Sequence, residues 1–353
     1  MDMMRISSLF VLVLIFPFCA PARAADFRDW TVGCDNFKGC TAIGFAREGQ
    51  DGGGFIRVER AGGPDGQPKI RLFLYPEDAK KESALRLTAD GAPIAGVAAE
   101  REARTGQDVD RYAIEISPQE LKPFIAALRK SQALNLATLD GTSKVDISLA
   151  GAVAALRNID DIQGRIGTQT ALIDVGYKPA SAVPDAPPLP VIVPAIAPPG
   201  LKENPALAVK LRKRIAKENP DGCEDLPEGG AVADEATPLN KTQTLVELAC
   251  SSGAYNFGSD FWIVTSGDVA RAVPASFKAP GQKPANSLFD ADFDRKTATL
   301  SFFYKGRGVG DCGDAGKYVW TGKGFAILEY SAMVACRGIF SDDWLVLWRA
   351  RLK

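Results

Sequence analysis

The chain contains no histidine among its 353 residues. This absence excludes Ser-His-Asp and Cys-His catalytic arrangements, histidine-ligated zinc sites and histidine general bases. The sequence also lacks the Gly-x-Ser-x-Gly and Ser-x-x-Lys words that mark serine nucleophiles. Any catalysis would therefore have to use carboxylates, lysine, tyrosine, serine or backbone donors.

An excess of positive charge is missing as well. The 42 Lys and Arg residues and the 43 Asp and Glu residues give a formal net charge of −1. Nucleic-acid-binding domains usually carry a strongly basic face, so this balance argues against a nucleic-acid partner. After the first residues, no run approaches the length of apolar chain that a membrane helix needs, and we expect no transmembrane span.

The N-terminal residues read as a secretory signal peptide. Arg5 supplies a short positive region, residues 6–18 form an apolar core, and Ala22-Arg23-Ala24 is a small-x-small cleavage site. Cys19 falls inside the removed piece. We therefore predict cleavage after Ala24 and a periplasmic location, which is an oxidising compartment.

Six cysteines remain after that cleavage. In an exported chain we interpret them as three local disulfides, although the spacing alone leaves other connectivities open. A zinc site of thiolates is the alternative, and no Cys-x-x-Cys unit favours it. We expect no metal and no cofactor. The predicted pairs are Cys34 with Cys40, Cys223 with Cys250, and Cys312 with Cys336.

Eight prolines between Lys178 and Gly200 predict a boundary between two domains. Proline removes backbone donors and fixes φ, so residues 178–200 should form an extended, semi-rigid linker. Residues 25–177 then form a β-rich α+β domain with two helices, and residues 201–353 form a second β-rich domain. The predicted fold class is mainly β, in two disulfide-stapled domains.

Helical periodicity appears in three places. Ser117 and Glu120 form a capping box ahead of an apolar stripe. A second helix, from about residue 151 to 163, should turn Val153, Leu156 and Ile159 inward. The second domain opens with a basic amphipathic helix over residues 205–218. Its cationic side could dock on an anionic envelope surface or simply be solvated.

The densest glycine word is Gly306-Arg307-Gly308-Val309-Gly310-Asp311-Cys312-Gly313. A nest of backbone amides beside Lys305 and Arg307 could hold an anion. The motif departs from a dinucleotide-binding fingerprint, because Asp311 stands at the sixth position, where the fingerprint has glycine. A tight turn that carries a disulfide is the alternative.

Tyr255 and Asn256 follow Cys250 and precede Trp262. A tyrosine and an amide on a disulfide-tied loop suit a polar or sugar-like ligand, through stacking and hydrogen bonds. Packing and turn formation would explain the same residues.

Two further acidic patterns deserve mention. Asp290, Asp292 and Asp294 have calcium-ligand spacing, but the glycine and final acid of an EF-type loop are absent. The alternative is an Asx-rich connection between strands. Two distant carboxylates could also build a glycosidase, and sequence alone leaves that possibility open.

Several short motifs occur in one order along the chain. They are Asp29-Trp30-x-x-x-Cys34 with Cys40-Thr41-Ala42, Ser148-Leu149-Ala150-Gly151, Asp160-Asp161-x-Gln163-Gly164-Arg165, Gly253-Ala254-Tyr255-Asn256, Lys305 to Gly313, Cys336-Arg337-Gly338, Asp343-Trp344 and Trp348-Arg349-Ala350. In these motifs the chain resembles a bacterial family known as domain of unknown function 1176. The resemblance spans nearly the whole mature chain, and it implies a periplasmic protein without an assigned activity or catalytic residues. The first domain is also similar to the invasion-associated locus B proteins, which are secreted and β-rich.

Together these features predict an exported, non-enzymatic protein that binds an envelope protein or a polar or anionic ligand. One alternative is a carboxylate-dependent hydrolase of envelope glycans or peptides. The other is a secreted factor that contacts host cells. The predicted ligand surface consists of Tyr255, Asn256, Trp262, Lys305, Arg307 and Asp311.

Overall fold

The structure is a computed structural model that describes residues 24–49, 53–76, 83–105, 111–220, 223 and 233–353. The predicted signal peptide, apart from Ala24, lies outside the described residues.

The first half of the chain is dominated by antiparallel strands. Within the described residues, ten strands form one sheet in the order β1-β2-β3-β4-β5-β8-β7-β6-β9-β10. The strands are β1 Ala25–Phe27, β2 Trp30–Cys34, β3 Cys40–Phe45, β4 Gly53–Arg60, β5 Pro68–Tyr75, β6 Ser83–Ala89, β7 Glu100–Thr105, β8 Tyr112–Ile116, β9 Ala133–Thr138 and β10 Lys144–Ser148.

This sheet curls until β10 meets the end of β3. The backbone N–H of Arg47 donates to the carbonyl of Asp146 at 2.8 Å, and Ala46 forms a bridge to Ile147. The indole N–H of Trp30 donates to the carbonyl of Ser148 at 2.8 Å. The inward side chains of the curled sheet therefore form one buried apolar cluster.

Two helices close this cluster: α1 Leu121–Leu128 and α2 Ala152–Ile162. The carboxylate of Glu120 accepts from the N–H of Ser117, as a capping box requires, but residues 118–120 form a turn and the helix begins at Leu121. On α2 the prediction for Val153 was wrong, because this side chain is 37% exposed. Ala152 and Ala155 are buried in its place, beside Leu156 and Ile159.

The end of α2 carries a buried polar network. Asp160, Gln163 and Arg165 are each 0% exposed. The Gln163 amide donates to the carbonyls of Lys38 and Arg60, at 2.8 and 3.0 Å. The Arg165 guanidinium donates to Gln163 Oε1 at 2.8 Å and also to the carbonyl of Gly63 and the hydroxyl of Thr170.

The carboxylate of Asp160 completes this network. It accepts from the backbone N–H groups of Leu172 and Ile173 at 2.8 and 2.9 Å and lies 3.5 Å from the Arg60 guanidinium. The family motif that contains Asp160, Gln163 and Arg165 thus attaches loops to the curled sheet through hydrogen bonds, because buried polar groups need partners.

Within the described residues, the second half contains one α-helix, α3 Pro205–Glu218, and β-sheets. Its strands, with one from the proline-rich segment, are β11 Val191–Ile192, β12 Glu235–Pro238, β13 Gln243–Ser252, β14 Phe257–Thr265, β15 Val273–Pro274, β16 Ser287–Phe289, β17 Asp292–Asp294, β18 Thr299–Lys305, β19 Gly313–Trp320, β20 Phe325–Met333, β21 Leu345–Arg349 and β22 Arg351–Leu352.

These strands form two main antiparallel sheets. One has the order β12-β13-β14-β15, with β16 also paired to β14, and the other runs β17-β18-β19-β20-β21. Helix α3 packs Leu207, Leu211 and Ile215 against the first sheet. Two of its cations are used internally, because Arg212 pairs with Asp234 and Arg214 with Glu218.

The proline-rich segment contains a short 3-10 helix, Ala180–Ala182, and is hydrogen-bonded to strands of the second half. β11 pairs with β22 in parallel, and the N–H of Ala195 donates to the carbonyl of Trp320 at 2.8 Å. The division into two domains remains a prediction. The structure adds that a second apolar cluster combines Ile43, Phe55 and Phe73 of the first half with side chains of the second.

The fold class is confirmed as mainly β, and the three disulfides are those expected. They join Cys34 to Cys40, Cys223 to Cys250 and Cys312 to Cys336. The first of them links residues that face each other across β2 and β3.

We predict that Arg165→Met lowers the free energy of unfolding by about 3–5 kcal/mol, because it leaves buried oxygens without donors. Urea denaturation would measure the change. Arg157→Met is the matched control: its ion pair with Asp174 is exposed, so its loss should cost less than about 1 kcal/mol. Equal effects of the two variants would contradict a structural role for the network.

Candidate functional site

Asn256 and Lys305 of the predicted ligand surface are joined through backbone atoms. The Asn256 side-chain amide donates to the carbonyl of Lys305 at 2.9 Å, and its oxygen accepts from the N–H of Lys305 at 3.0 Å. The side chain thus acts as a strand partner, and it clamps the β13–β14 turn to the end of β18.

The Lys305 ammonium is also engaged. It donates to the carbonyl of Tyr255 at 3.2 Å and lies 3.5 Å from the carboxylate of Asp290. The Tyr255 ring lies beside the backbone of Gly308 and is 38% exposed. The loop at Tyr255 therefore rests on the glycine-rich word.

Within that word, Arg307 and Asp311 form a two-pronged ion pair across a tight turn. Arg307 donates to both carboxylate oxygens, and the N–H of Gly310 donates to the carbonyl of Arg307 at 2.9 Å. Asp311 also accepts from the N–H of Gly338 at 2.7 Å. The Arg307 guanidinium holds the pKa of the Asp311 carboxyl below its ordinary value. These contacts favour a tight turn that carries a disulfide over an open anion nest.

Trp262 stands apart from the other five residues. It lies on β14 opposite Val246 and Pro274, and it packs against the cluster beneath α3. The structure therefore brings together Tyr255, Asn256, Lys305, Arg307 and Asp311, and these polar groups largely satisfy one another.

A cavity of about 300 Å³ lies next to this surface, between the segment before β16 and the strands β18 and β19. We call it the aromatic cavity. It is lined by Phe277, Ala279, Gln282, Lys283, Ala285, Ser287, Leu288, Phe289, Phe302, Tyr304, Asp314 and Tyr318.

Strand alternation explains its floor. Phe302 and Tyr304 are two residues apart on β18, and Asp314 and Tyr318 lie on the same face of the neighbouring β19, in register with Tyr304 and Leu300. Gly316 sits opposite Phe302, and a Cβ there would lie 2.8 Å from the Phe302 ring. The missing side chain gives that ring its place.

Asp314 is the one carboxylate of the cavity lining. Burial raises its pKa above the ordinary value, and hydrogen bonds from Tyr330 and Gln282 act in the opposite direction. The Gln282 amide donates to the Tyr330 hydroxyl at 2.6 Å. Among the described residues, Asp314 has hydrogen bonds but no ion pair.

A second displaced carboxyl, Glu247 on β13, lies outside this lining. The pKa of Glu247 is raised to about 7, chiefly by burial; the nearby charges of Glu235, Asp292 and Asp234 add to this effect, and a hydrogen bond from Ser259 acts against it. The side chain faces the interior with 8% of the residue exposed.

The acidic run near β17 is occupied by local contacts. Asp294 accepts from the N–H of Lys296 at 2.8 Å and from the Thr297 hydroxyl. Asp290 accepts from the N–H of Phe257 at 2.9 Å. These contacts favour the Asx-rich connection over a calcium loop.

The sequence interpretation missed the aromatic cavity. The alternation of Phe302 and Tyr304 along β18 could have indicated that both rings share the face that forms the cavity floor. The other wall comes from residues 277–289, whose position depends on the bridge between Phe277 and Ala285 and on the pairing of β16 with β14. No local pattern reports that pairing.

The fold and the cavity define a disulfide-linked, mainly β protein with a small aromatic-lined pocket. Residues 24–351 match the family model "Protein of unknown function (DUF1176)", so the chain belongs to this family. It is 30% identical over 370 residues to the uncharacterized protein YpfG of Escherichia coli (strain K12). The alignment covers 98% of this chain and 99% of YpfG. No solved structure matches.

We predict that Asn256→Ala lowers the free energy of unfolding by about 1–2 kcal/mol, because two hydrogen bonds to the Lys305 backbone are lost. Ser252→Ala, at an exposed position of the same hairpin, should change it by less than about 0.5 kcal/mol. Urea denaturation measures both. If Asn256→Ala has no effect on stability, the clamp is not structural and the residue is free for a ligand.

We predict a pH-dependent effect of Glu247→Gln. Because the folded pKa of about 7 lies above the ordinary 4.5, the stabilisation is complete below pH 4.5 and is lost as the pH rises through 7. Relative to the native chain, the variant should gain about 2–3 kcal/mol of stability between about pH 5 and pH 8.5.

Urea unfolding at the two pH values measures this gain. Glu329→Gln, which removes an exposed carboxylate of β20, is the control and should show no such difference. A Glu247→Gln effect that is independent of pH would contradict the displaced pKa.

Proposed function

We propose that the protein is an exported periplasmic binding protein without catalytic activity, and that the aromatic cavity holds its ligand. The observation that carries this proposal is the cavity itself: a concave, mostly apolar site with a few polar groups and one carboxyl of raised pKa. Such a combination is typical of small-molecule sites.

The three disulfides support export, because such bonds persist in oxidising compartments. The described residues contain no helix long and apolar enough to cross a membrane. Cleavage after Ala24 is part of the proposal.

The lining favours binding over hydrolysis. A glycosidase uses two carboxyl groups about 5–9.5 Å apart, whereas the described lining of the cavity contributes Asp314 alone. The likeness to invasion-associated locus B proteins, and with it a role at host cells, stays a prediction for which the geometry adds no support.

The predicted ligand surface borders the cavity. Phe289 and Tyr304 line the cavity with their ring centroids 5.0 Å apart, and Tyr304 precedes Lys305 in the chain. We propose that Tyr255 and Asn256 shape this end of the site by holding β18 in place, rather than by contacting the ligand through their polar groups.

The test uses full-length protein expressed with its own leader and purified from the periplasm. Intact mass should first show a chain that begins at Ala25 and carries three disulfides; an unprocessed leader or free thiols would contradict export. The protein is then dialysed against a small-molecule extract of bacterial cells, and retained compounds are identified by mass spectrometry.

Ala285→Trp is the blocking variant, because Ala285 is exposed and lines the cavity, so a large side chain can cover the opening without entering the core. Ala270→Trp, at an exposed position outside the lining, is the control. We expect the native chain and the control to retain, unchanged, a compound that the blocked variant loses. Retention that ignores the block, or chemical conversion of the compound, would overturn the proposal.

A further inference from the structure

We propose that the ligand of the aromatic cavity is a small organic ammonium ion, held by the Asp314 carboxylate and the surrounding aromatic faces. This inference rests on the proposed function and names the class of ligand.

The first argument is charge. Asp314 is partly buried, and the described residues place no cation in an ion pair with it. Burial raises the pKa values of the neighbouring Tyr318 and Tyr330, and the charge of Asp314 raises them further. A buried charge is costly unless it is paired, and a bound cation would supply the missing partner.

The second argument is the ring content of the lining. Five aromatic side chains share the lining with the carboxylate: Phe277, Phe289, Phe302, Tyr304 and Tyr318. Aromatic faces carry negative potential and attract cations, and recognition of alkylammonium groups by such rings is a general use of this interaction. The rings also cover the alkyl part of such an ion.

The third argument weighs against other ligand classes. Two further polar side chains of the lining are already engaged: Gln282 donates to Tyr330, and the Ser287 hydroxyl donates to Asp260. A sugar would need several free donors and acceptors, and these two groups are committed to contacts within the chain. A metal ion such as Ca²⁺ would need six or more oxygens, and the lining offers one carboxylate.

Lys283 also lines the cavity and is exposed. The ion pairs of the described residues include none between Lys283 and Asp314. The Lys283 ammonium weakly repels an entering cation, so its removal should increase the affinity for a cation. Lys283→Gln should therefore tighten ammonium binding about two- to threefold at low ionic strength.

The experiment compares choline with dimethylbutanol, its uncharged carbon isostere, by isothermal titration calorimetry on the mature full-length protein. We expect choline to bind at least about tenfold more tightly than the alcohol, because only the cation gains the carboxylate and the ring faces. Asp314→Asn keeps the size of the side chain and should abolish this preference. Glu329→Gln removes an equal charge outside the cavity and should preserve it.

Tyr304→Leu tests the rings separately, since it keeps an apolar side chain and removes a π-face. It should weaken choline several-fold and leave the alcohol unchanged. Phosphatidylcholine and phosphatidylglycerol vesicles then distinguish a lipid headgroup from a free ion; sedimentation with the former alone would assign the ammonium to a lipid.

Equal affinity for choline and its isostere, or an unchanged preference in Asp314→Asn, would overturn the inference. A neutral compound retained from the cell extract in an Ala285-dependent manner would also overturn it while leaving the proposed binding function intact. An ammonium compound retained in that way would support it. If the extract yields nothing that the block removes, the binding function itself fails.

Discussion

The direct packing of β21 on β2 holds the two halves of this protein together, and it depends on the missing side chain at Gly33. A Cβ at that position would lie 2.7 Å from a Leu347 methyl and 2.8 Å from the Leu345 Cβ. Contacts this short cannot be relieved without moving a strand, because protein interiors are packed at the density of organic crystals. Next to this contact, the Asp343 carboxylate forms ion pairs with Arg57 and Arg111. The close apolar packing at Gly33 and the ion pairs of Asp343 therefore fix the position of the C-terminal sheet on the curled N-terminal sheet.

That placement determines where a ligand can enter. The sheet β17–β21 is anchored at its β21 edge against the first half, while β18 and β19, at the other side, meet the segment before β16. The glycine-rich turn is fixed by the Cys312–Cys336 disulfide and by Asp311, which binds Arg307 and Gly338. A site whose walls are held by such contacts loses less entropy on binding than a mobile one.

The sequence predicted those features that depend on neighbouring residues. The disulfide Cys34–Cys40 and helix α3 follow from local spacing and periodicity, and the structure has both. Val153 shows the limit: its place in the helical pattern suited either side of α2, and the curvature of the sheet decided for Ala152 and Ala155. The aromatic cavity needed more still, because its two walls meet only through the long-range pairing of β16 with β14. Period-two patterns identify which side chains share a face, but they carry no information on what covers that face.

The contrast between the predicted ligand surface and the cavity rests on which partner satisfies each polar group. Arg307, Asp311 and Asn256 have the residue types of a binding site, yet their hydrogen bonds are completed within the chain, and a ligand would have to break them first. Asp314 has a less conspicuous sequence setting, but its charge finds no counter-ion among the described residues, and desolvation raises its pKa. The contacts of the first group stabilise the fold and need no ligand to explain them. Asp314 differs, because a partly buried carboxylate without an ion pair destabilises the native state when it is charged. A residue that costs stability in an otherwise well-packed wall is therefore the stronger indication of a function in binding.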